Sequence, residues 1–174
     1  HAHVMTGHEG SKFGRAPPAA AELIARIERS DRITMRGLHV HVGSQILDTA
    51  PFARSVAPVA ALGAFDIYDL GGGLGARYSY ADQPPAVAEY LDALIGAARE
   101  HLPADAQVII EPGRSMVASA AVTLYCVTTV KRGAHTFVAV DGGMGDNLEV
   151  ALFDQRFEAG LVDRLDADGE TVTV

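Results

Sequence analysis

Four short constellations carry residue types that could do chemistry. The first is His39-Val40-His41-Val42-Gly43-Ser44-Gln45. Strand alternation puts His39 and His41 on one face. Two such imidazoles could hold a metal, yet no third ligand stands near them in sequence, and a metal usually wants three or four. They could instead pack a flat ring on a planar cofactor, with Ser44 donating to a phosphate. They could also be two satisfied, buried histidines with no further role.

The second constellation is Gly71-Gly72-Gly73-Leu74-Gly75. Consecutive glycines let backbone N–H groups approach an anion with no side chain in the way. No Gly-Lys-Ser/Thr follows, so it is not a Walker loop. The spacing also differs from the dinucleotide fingerprint. A tight strand-to-helix turn would need the same residues.

Third comes Glu111-Pro112-Gly113-Arg114-Ser115. A carboxylate here could bond a protonated ring nitrogen, and the guanidinium could bind a phosphate or carboxylate through two bonds. The bland alternative is a local ion pair that caps the next helix. The fourth, Asp141-Gly142-Gly143-Met144-Gly145-Asp146-Asn147, reads blandly as a glycine-rich turn with two solvated aspartates.

The elements that position these residues alternate. Apolar positions at Ala20, Leu23, Ile24 and Ile27 predict a helix over residues 17–29, with Pro17 and Pro18 tolerated in its first turn. Residues 35–42, 65–70 and 107–110 read as strands, separated by helices over 51–62 and 84–101. Residues 1–15 read as loop. The turns at Gly43, Gly73 and Gly113 recur 30 and then 40 residues apart, the length of a strand-helix unit, so a parallel sheet follows. After Arg114 the pattern changes. Residues 121–131 and 136–140 are rich in Val and Thr, and only a short turn separates them. They read as an antiparallel segment, with a boundary near residues 115–120. The tail over residues 163–174 reads as the first arm of a hairpin whose partner is missing. Three strand-helix units cannot close an eight-stranded barrel, which usually takes about 250 residues. On length alone an open doubly wound sheet also fits.

Composition narrows the class. The 174 residues are 48% hydrophobic and 21% charged, which suits a folded domain rather than a disordered tail. No apolar run approaches 18 residues, so no membrane helix or membrane partner is expected. The formal net charge of −8 repels phosphate backbones, which argues against nucleic acid. A lone cysteine, Cys126, excludes an internal disulfide and fits a reducing compartment such as the cytoplasm. Lys12 and Lys131 are the only lysines beside twelve arginines. The chain opens His1-Ala2-His3 rather than with Met, which reads as an internal segment of a longer protein.

Each constellation falls at the end of an expected strand, where the active sites of parallel α/β folds gather. An anion cradle, an arginine, a planar stacker and a carboxylate for a ring nitrogen together suit pyridoxal 5'-phosphate, whose protonated pyridine ring is an electron sink.

Ser11-Lys12-Phe13-Gly14, His41-Val42-Gly43-Ser44-Gln45, Gly71-Gly72-Gly73, Glu111-Pro112-Gly113-Arg114 and Asp141-Gly142-Gly143-Met144 occur in that order. Over nearly the whole chain, order and spacing resemble the diaminopimelate decarboxylases, in the group of alanine-racemase-like pyridoxal phosphate decarboxylases. The resemblance implies an α/β fold: residues 1–118 as the second half of a pyridoxal phosphate-binding (β/α)8 TIM-type barrel, running into residues 119–174 as the incomplete start of a C-terminal β domain. It implies a homodimer with a shared active site. By it, His41 stacks on the pyridine ring, Ser44 bonds the phosphate, and Gly72 and Gly73 donate backbone N–H groups to that phosphate. Glu111 pairs with the pyridine nitrogen, and Arg114 reaches phosphate or substrate carboxylate. His41 and Glu111 are thus the catalytic candidates.

Family members hold the cofactor as an imine on a lysine of an early barrel strand. Neither Lys12 nor Lys131 has that context, so the Schiff-base lysine is expected upstream of residue 1. The family's catalytic cysteine is expected downstream, which leaves Cys126 as a small core residue. These residues alone are then not expected to catalyse the reaction.

The implied reaction is decarboxylation of an amino acid substrate, meso-diaminopimelate, to L-lysine and CO2. One departure bears on it. Where the family usually shows Arg-Pro-Ala-Leu-Tyr for the distal carboxylate, this chain reads Glu149-Val150-Ala151-Leu152-Phe153, followed by Asp154. Glu149, Phe153 and Asp154 therefore join Arg114 as candidate substrate residues. They favour a rival reading with the same cofactor and a basic amino acid such as ornithine or arginine. A non-catalytic homologue that binds a partner, and an unrelated α/β domain with coincident motifs, are the remaining alternatives.

Overall fold

A computed structural model describes residues 10–174. The part of the expected N-terminal loop over residues 1–9 lies outside them. The chain divides into two compact units. Unit 1 holds residues 10–77 and 82–119 of the described chain, and unit 2 holds residues 78–81 and 120–174.

Unit 1 alternates helix and strand. Its elements are α1 (Pro17–Glu28), β1 (Gly37–His39), α2 (Ala50–Ala60), β2 (Ile67–Asp69), α3 (Val87–His101), β3 (Gln107–Ile109) and α4 (Arg114–Val117). The strands form one parallel sheet in the order β1-β2-β3. Leu38 pairs with Tyr68 and Tyr68 with Val108, so His39, Asp69 and Ile109 stand level at the next rung.

The helices form where apolar residues recur at helical spacing. In α2, Phe52, Val56 and Val59 are buried. In α3, Tyr90, Leu94 and Ala98 are buried at four-residue spacing. Phe52 and Tyr90 meet edge to face at 4.8 Å. The starts of α2 and α3 are fixed by carboxylates, Asp48 accepting the N–H of Ala50, the first residue of α2, at 3.0 Å and Glu89 that of Ala86, which precedes α3, at 2.9 Å. Tyr68, in the middle of the central strand, and Leu70, just past its end, complete the core, with the Tyr68 hydroxyl donating to the Gly63 carbonyl at 2.7 Å.

The strands are shorter than the sequence predicts. Residues 35–42 yield only Gly37–His39, although Val40 still donates to the Asp69 carbonyl at 2.9 Å. Beyond it the backbone turns at Gly43 and Gln45, which take φ of 140° and 54° and cannot continue a ladder.

Unit 2 contains the hairpin of β4 (Val127–Arg132) and β5 (Thr136–Val140), followed by α5 (Leu148–Phe153). The expected strand over 121–131 begins only at Val127. Its partner β5 ends at Val140, and past it Asp141 reaches back, donating its N–H to the Cys126 carbonyl at 3.1 Å. The C-terminal tail is not a lone arm. Thr173 exchanges bonds with β5, donating to the Thr136 carbonyl and accepting from the Val138 N–H at 2.9 and 2.8 Å. Cys126 is exposed, not a core residue, because the buried hydrophobic cluster lies wholly in unit 1. Among the described residues no helix is long and apolar enough to cross a membrane.

Candidate active site

The C-terminal ends of β1, β2 and β3 bring three of the four constellations together. The backbone does this through the glycines. A Cβ at Gly72 would overlap the Glu111 carbonyl, and one at Gly73, whose φ is +113°, would overlap the Gly43 carbonyl. Only glycine lets the loop after β2 lie this close to the loops on both sides. Main-chain bonds seal the contact. Glu111 donates its N–H to the Gly71 carbonyl at 2.7 Å, Ile46 to Gly73 at 3.0 Å and Gly75 to Ile46 at 2.9 Å.

Side chains then lock the loops. Nδ1 of His41 accepts the Gly72 N–H at 3.3 Å. That bond makes Nδ1 an acceptor, so in the neutral ring the proton sits on Nε2. The Gly72 N–H expected to serve a phosphate is therefore already turned toward His41. The Gln45 amide clamps Ala76 from both sides, donating to its carbonyl at 2.6 Å and accepting its N–H at 3.0 Å. Asp69 accepts the Gly71 N–H at 2.9 Å, an Asx turn that starts the glycine run.

Acidic and basic groups meet at the sheet end. Nε2 of His39 lies 3.3 Å from Oε2 of Glu111, with both side chains about half exposed. Asp69 joins them: one ligand-type atom from each of His39, Asp69 and Glu111 lies within 4.8 Å of the others. The sequence offers the histidines no third metal ligand, but parallel pairing supplies two carboxylates beside His39. Ser44 is half-buried in the turn after β1, and Arg114, also half-buried, opens α4 three residues past Glu111. No side chain caps α4, so Glu111 is free of the capping duty that the bland reading gave it.

In unit 2, Glu149 and Phe153 are half-buried on α5, and Asp154 follows as its left-handed cap at φ 51°. The aspartates of the fourth constellation are not merely solvated. Asp141 accepts the Cys126 N–H at 2.7 Å, and Asp146 accepts the Gly143 N–H at 2.8 Å.

His39, Asp69 and Gln45 are the residues to which the sequence assigns no individual role. An Asp two residues before a glycine was an available signal for the Asx turn. Gln45 and Ala76 meet across 31 positions, and His39 and Glu111 across 72. Only the sheet register brings such pairs together.

A family model described as pyridoxal-dependent decarboxylase, pyridoxal binding domain, matches residues 1–118. The chain belongs to this family. The cofactor of these pyridoxal-dependent decarboxylases is pyridoxal 5'-phosphate. Among curated relatives, the diaminopimelate decarboxylase of Bacillus subtilis is 35% identical over 195 residues, covering 100% of this chain and 44% of the relative. That of Mycobacterium leprae is 38% identical over 191 residues, covering 94% of this chain and 40% of the relative. The chain thus spans less than half the length of these relatives. A solved structure of the Helicobacter pylori diaminopimelate decarboxylase complexed with L-lysine superposes with a TM-score of 0.82 at 28% identity, covering 91% of this chain and 41% of that one. The residues at the sheet end fit the family's cofactor by chemistry. A carboxylate suits a protonated ring nitrogen, an imidazole presents a flat face, and a glycine loop beside a serine suits a phosphate.

Proposed function

We propose that the complete protein is a pyridoxal phosphate-dependent amino acid decarboxylase that converts meso-diaminopimelate to L-lysine and CO2. The observation that carries this is the meeting of His41, the Gly71–Gly73 run and Glu111 at one end of a parallel sheet, in a chain whose curated relatives are diaminopimelate decarboxylases. Within this reading, residues 1–118 are the second half of a (β/α)8 barrel and residues 119–174 open a C-terminal β domain. The complete protein works as a homodimer with a shared site.

When bound, the cofactor supplies a protonated aromatic ring that takes up the electrons left behind as the carboxylate departs as CO2. Glu111 keeps the proton on the ring nitrogen. His41, pinned by its bond from Gly72, offers its face to the ring. Ser44 and the Gly73 N–H hold the phosphate, with Gly72 beside them. Arg114 binds the phosphate or the substrate carboxylate. Neither Lys12 nor Lys131 is assigned the covalent link to the cofactor.

One observation favours a second substrate. Glu149 stands where the family usually carries the cation for the distal carboxylate, and Phe153 lacks the hydroxyl of the usual Tyr. A carboxylate there repels a distal carboxylate and attracts a distal ammonium. Asp154 adds a second negative charge. On this reading the substrate is ornithine or arginine. Release of CO2 by the complete protein from meso-diaminopimelate, L-ornithine and L-arginine separates the two. Turnover of diaminopimelate alone supports the first substrate, and turnover of a basic amino acid alone supports the second. No turnover of any by cofactor-loaded protein removes the decarboxylase reading.

A further inference from the structure

The histidine two residues before His41 has its own contact. Nε2 of His39 sits 3.3 Å from Oε2 of Glu111, at hydrogen-bond distance. The two reach each other because β1 and β3 flank β2 in parallel. His39 is level with Asp69 and Ile109, and Glu111 lies two residues further on, on the same face as Ile109. Asp69 stands between them in register and contributes a second carboxylate within 4.8 Å. Its Oδ1 is engaged by the Gly71 N–H.

From this geometry we infer that His39 is a positioning residue for Glu111, holding one carboxylate oxygen so that the other faces the cofactor's ring nitrogen. The inference rests on the proposed role of Glu111. A carboxylate at the end of a strand, about half exposed, has several rotamers open to it. A bond from His39 Nε2–H to Oε2 selects one of them. The N–H placed on Oε2 also turns that oxygen away from the Asp69 carboxylate beside it. The ring of His39 meets Glu111 at hydrogen-bond distance, so its effect on the cofactor is assigned to Glu111.

The test uses the complete natural chain that contains these residues, loaded with pyridoxal phosphate labelled with 15N at the ring. The readouts are the cofactor dissociation constant and the chemical shift of the ring nitrogen, which reports its protonation. His39→Ala is expected to weaken binding about fivefold, the scale of one net hydrogen bond. It should also move the ring-nitrogen signal toward the unprotonated position. His39→Gln keeps an N–H donor and is expected to recover most of both. In a Glu111→Ala background, His39→Ala is expected to change nothing further. The His39 side chain is about half exposed, so its truncation opens no core cavity. Far-UV circular dichroism of His39→Gln guards against misfolding.

Wild-type affinity and ring-nitrogen shift in His39→Ala, with both altered in Glu111→Ala, would overturn the inference and leave the role of Glu111 standing. An equal loss from His39→Ala with and without Glu111 would also overturn it. Unchanged binding and shift in Glu111→Ala alone would instead sink the underlying reading of Glu111.

Discussion

The backbone N–H of Gly72 points at Nδ1 of His41, 3.3 Å away across 31 residues of chain. One hydrogen bond thus sets both the tautomer of the imidazole and its tilt. It also joins the loop after β1 to the loop after β2 at the point where the third loop, carrying Glu111, presses on Gly72. Replacing Gly72 by Ala forces a methyl into the Glu111 carbonyl, and backbone must move to admit it. Overpacking of this kind costs about 1–3 kcal/mol. Urea denaturation of Gly72→Ala should show a lower midpoint, and cofactor affinity should fall with it, since both His41 and Glu111 are displaced.

Glu111→Ala and Arg114→Ala should each weaken pyridoxal phosphate binding. Each removes one charge-assisted bond, worth roughly 1.5–3 kcal/mol, or about a tenfold or greater loss of affinity. Equilibrium dialysis of the complete protein measures it. Wild-type affinity in both variants would leave the sheet end without a cofactor role.

Gln45 holds a left-handed backbone and a two-bond clamp at once. Gln45→Ala keeps the strained φ and loses the clamp. Gln45→Gly loses the clamp but relieves the strain, by about 1 kcal/mol relative to Ala. Thermal unfolding should therefore rank the wild type first, Gln45→Gly second and Gln45→Ala last. Hydrogen exchange at the Ala76 amide should speed up in both variants.

Tyr90 is buried with no partner for its hydroxyl among the described residues, and burial raises its pKa above the ordinary value of 10.0. The neutral phenol is the form the fold tolerates. Below pH 10 the hydroxyl is neutral whether the chain is folded or not, so it confers no pH dependence there. Above pH 10 the unfolded chain ionises first, and stability falls as pH rises toward the higher folded pKa. Tyr90→Phe should remove that part of the alkaline loss. At neutral pH it should leave stability unchanged or raise it, because an unsatisfied buried hydroxyl costs about 1–3 kcal/mol. Denaturant melts at pH 7 and pH 10.5 compare the two.

The helices of unit 1 are legible in the sequence because their apolar spacing and their burial are one pattern. Phe52, Val56 and Val59 on α2, and Tyr90, Leu94 and Ala98 on α3, enter the buried core at the intervals that helical geometry sets. Strand positions are legible too, but not their lengths. Pairing is interrupted where Gly43 and Gln45 turn the chain and resumes as the single Ile46–Leu74 bridge, and no local pattern in residues 35–42 announces that. The motifs themselves stand out by residue type. Their partners do not: the His39–Glu111 and Gln45–Ala76 contacts depend on which strands are neighbours, a property of the whole sheet. Cys126 illustrates the opposite error. A small sulfur side chain is usually buried, yet here it lies in the unit that lacks the buried cluster.

The tight seating of Gly72 under Glu111 and of Gly73 under Gly43 limits how this sheet end can change over generations. A side chain gained at either position needs a simultaneous retreat of a segment some 30 or 40 positions away in the chain. Single replacements there meet a steric wall, and paired ones must arrive together. The loops after the three strands are therefore constrained as one block, and a side chain that displaces one of them displaces its neighbours.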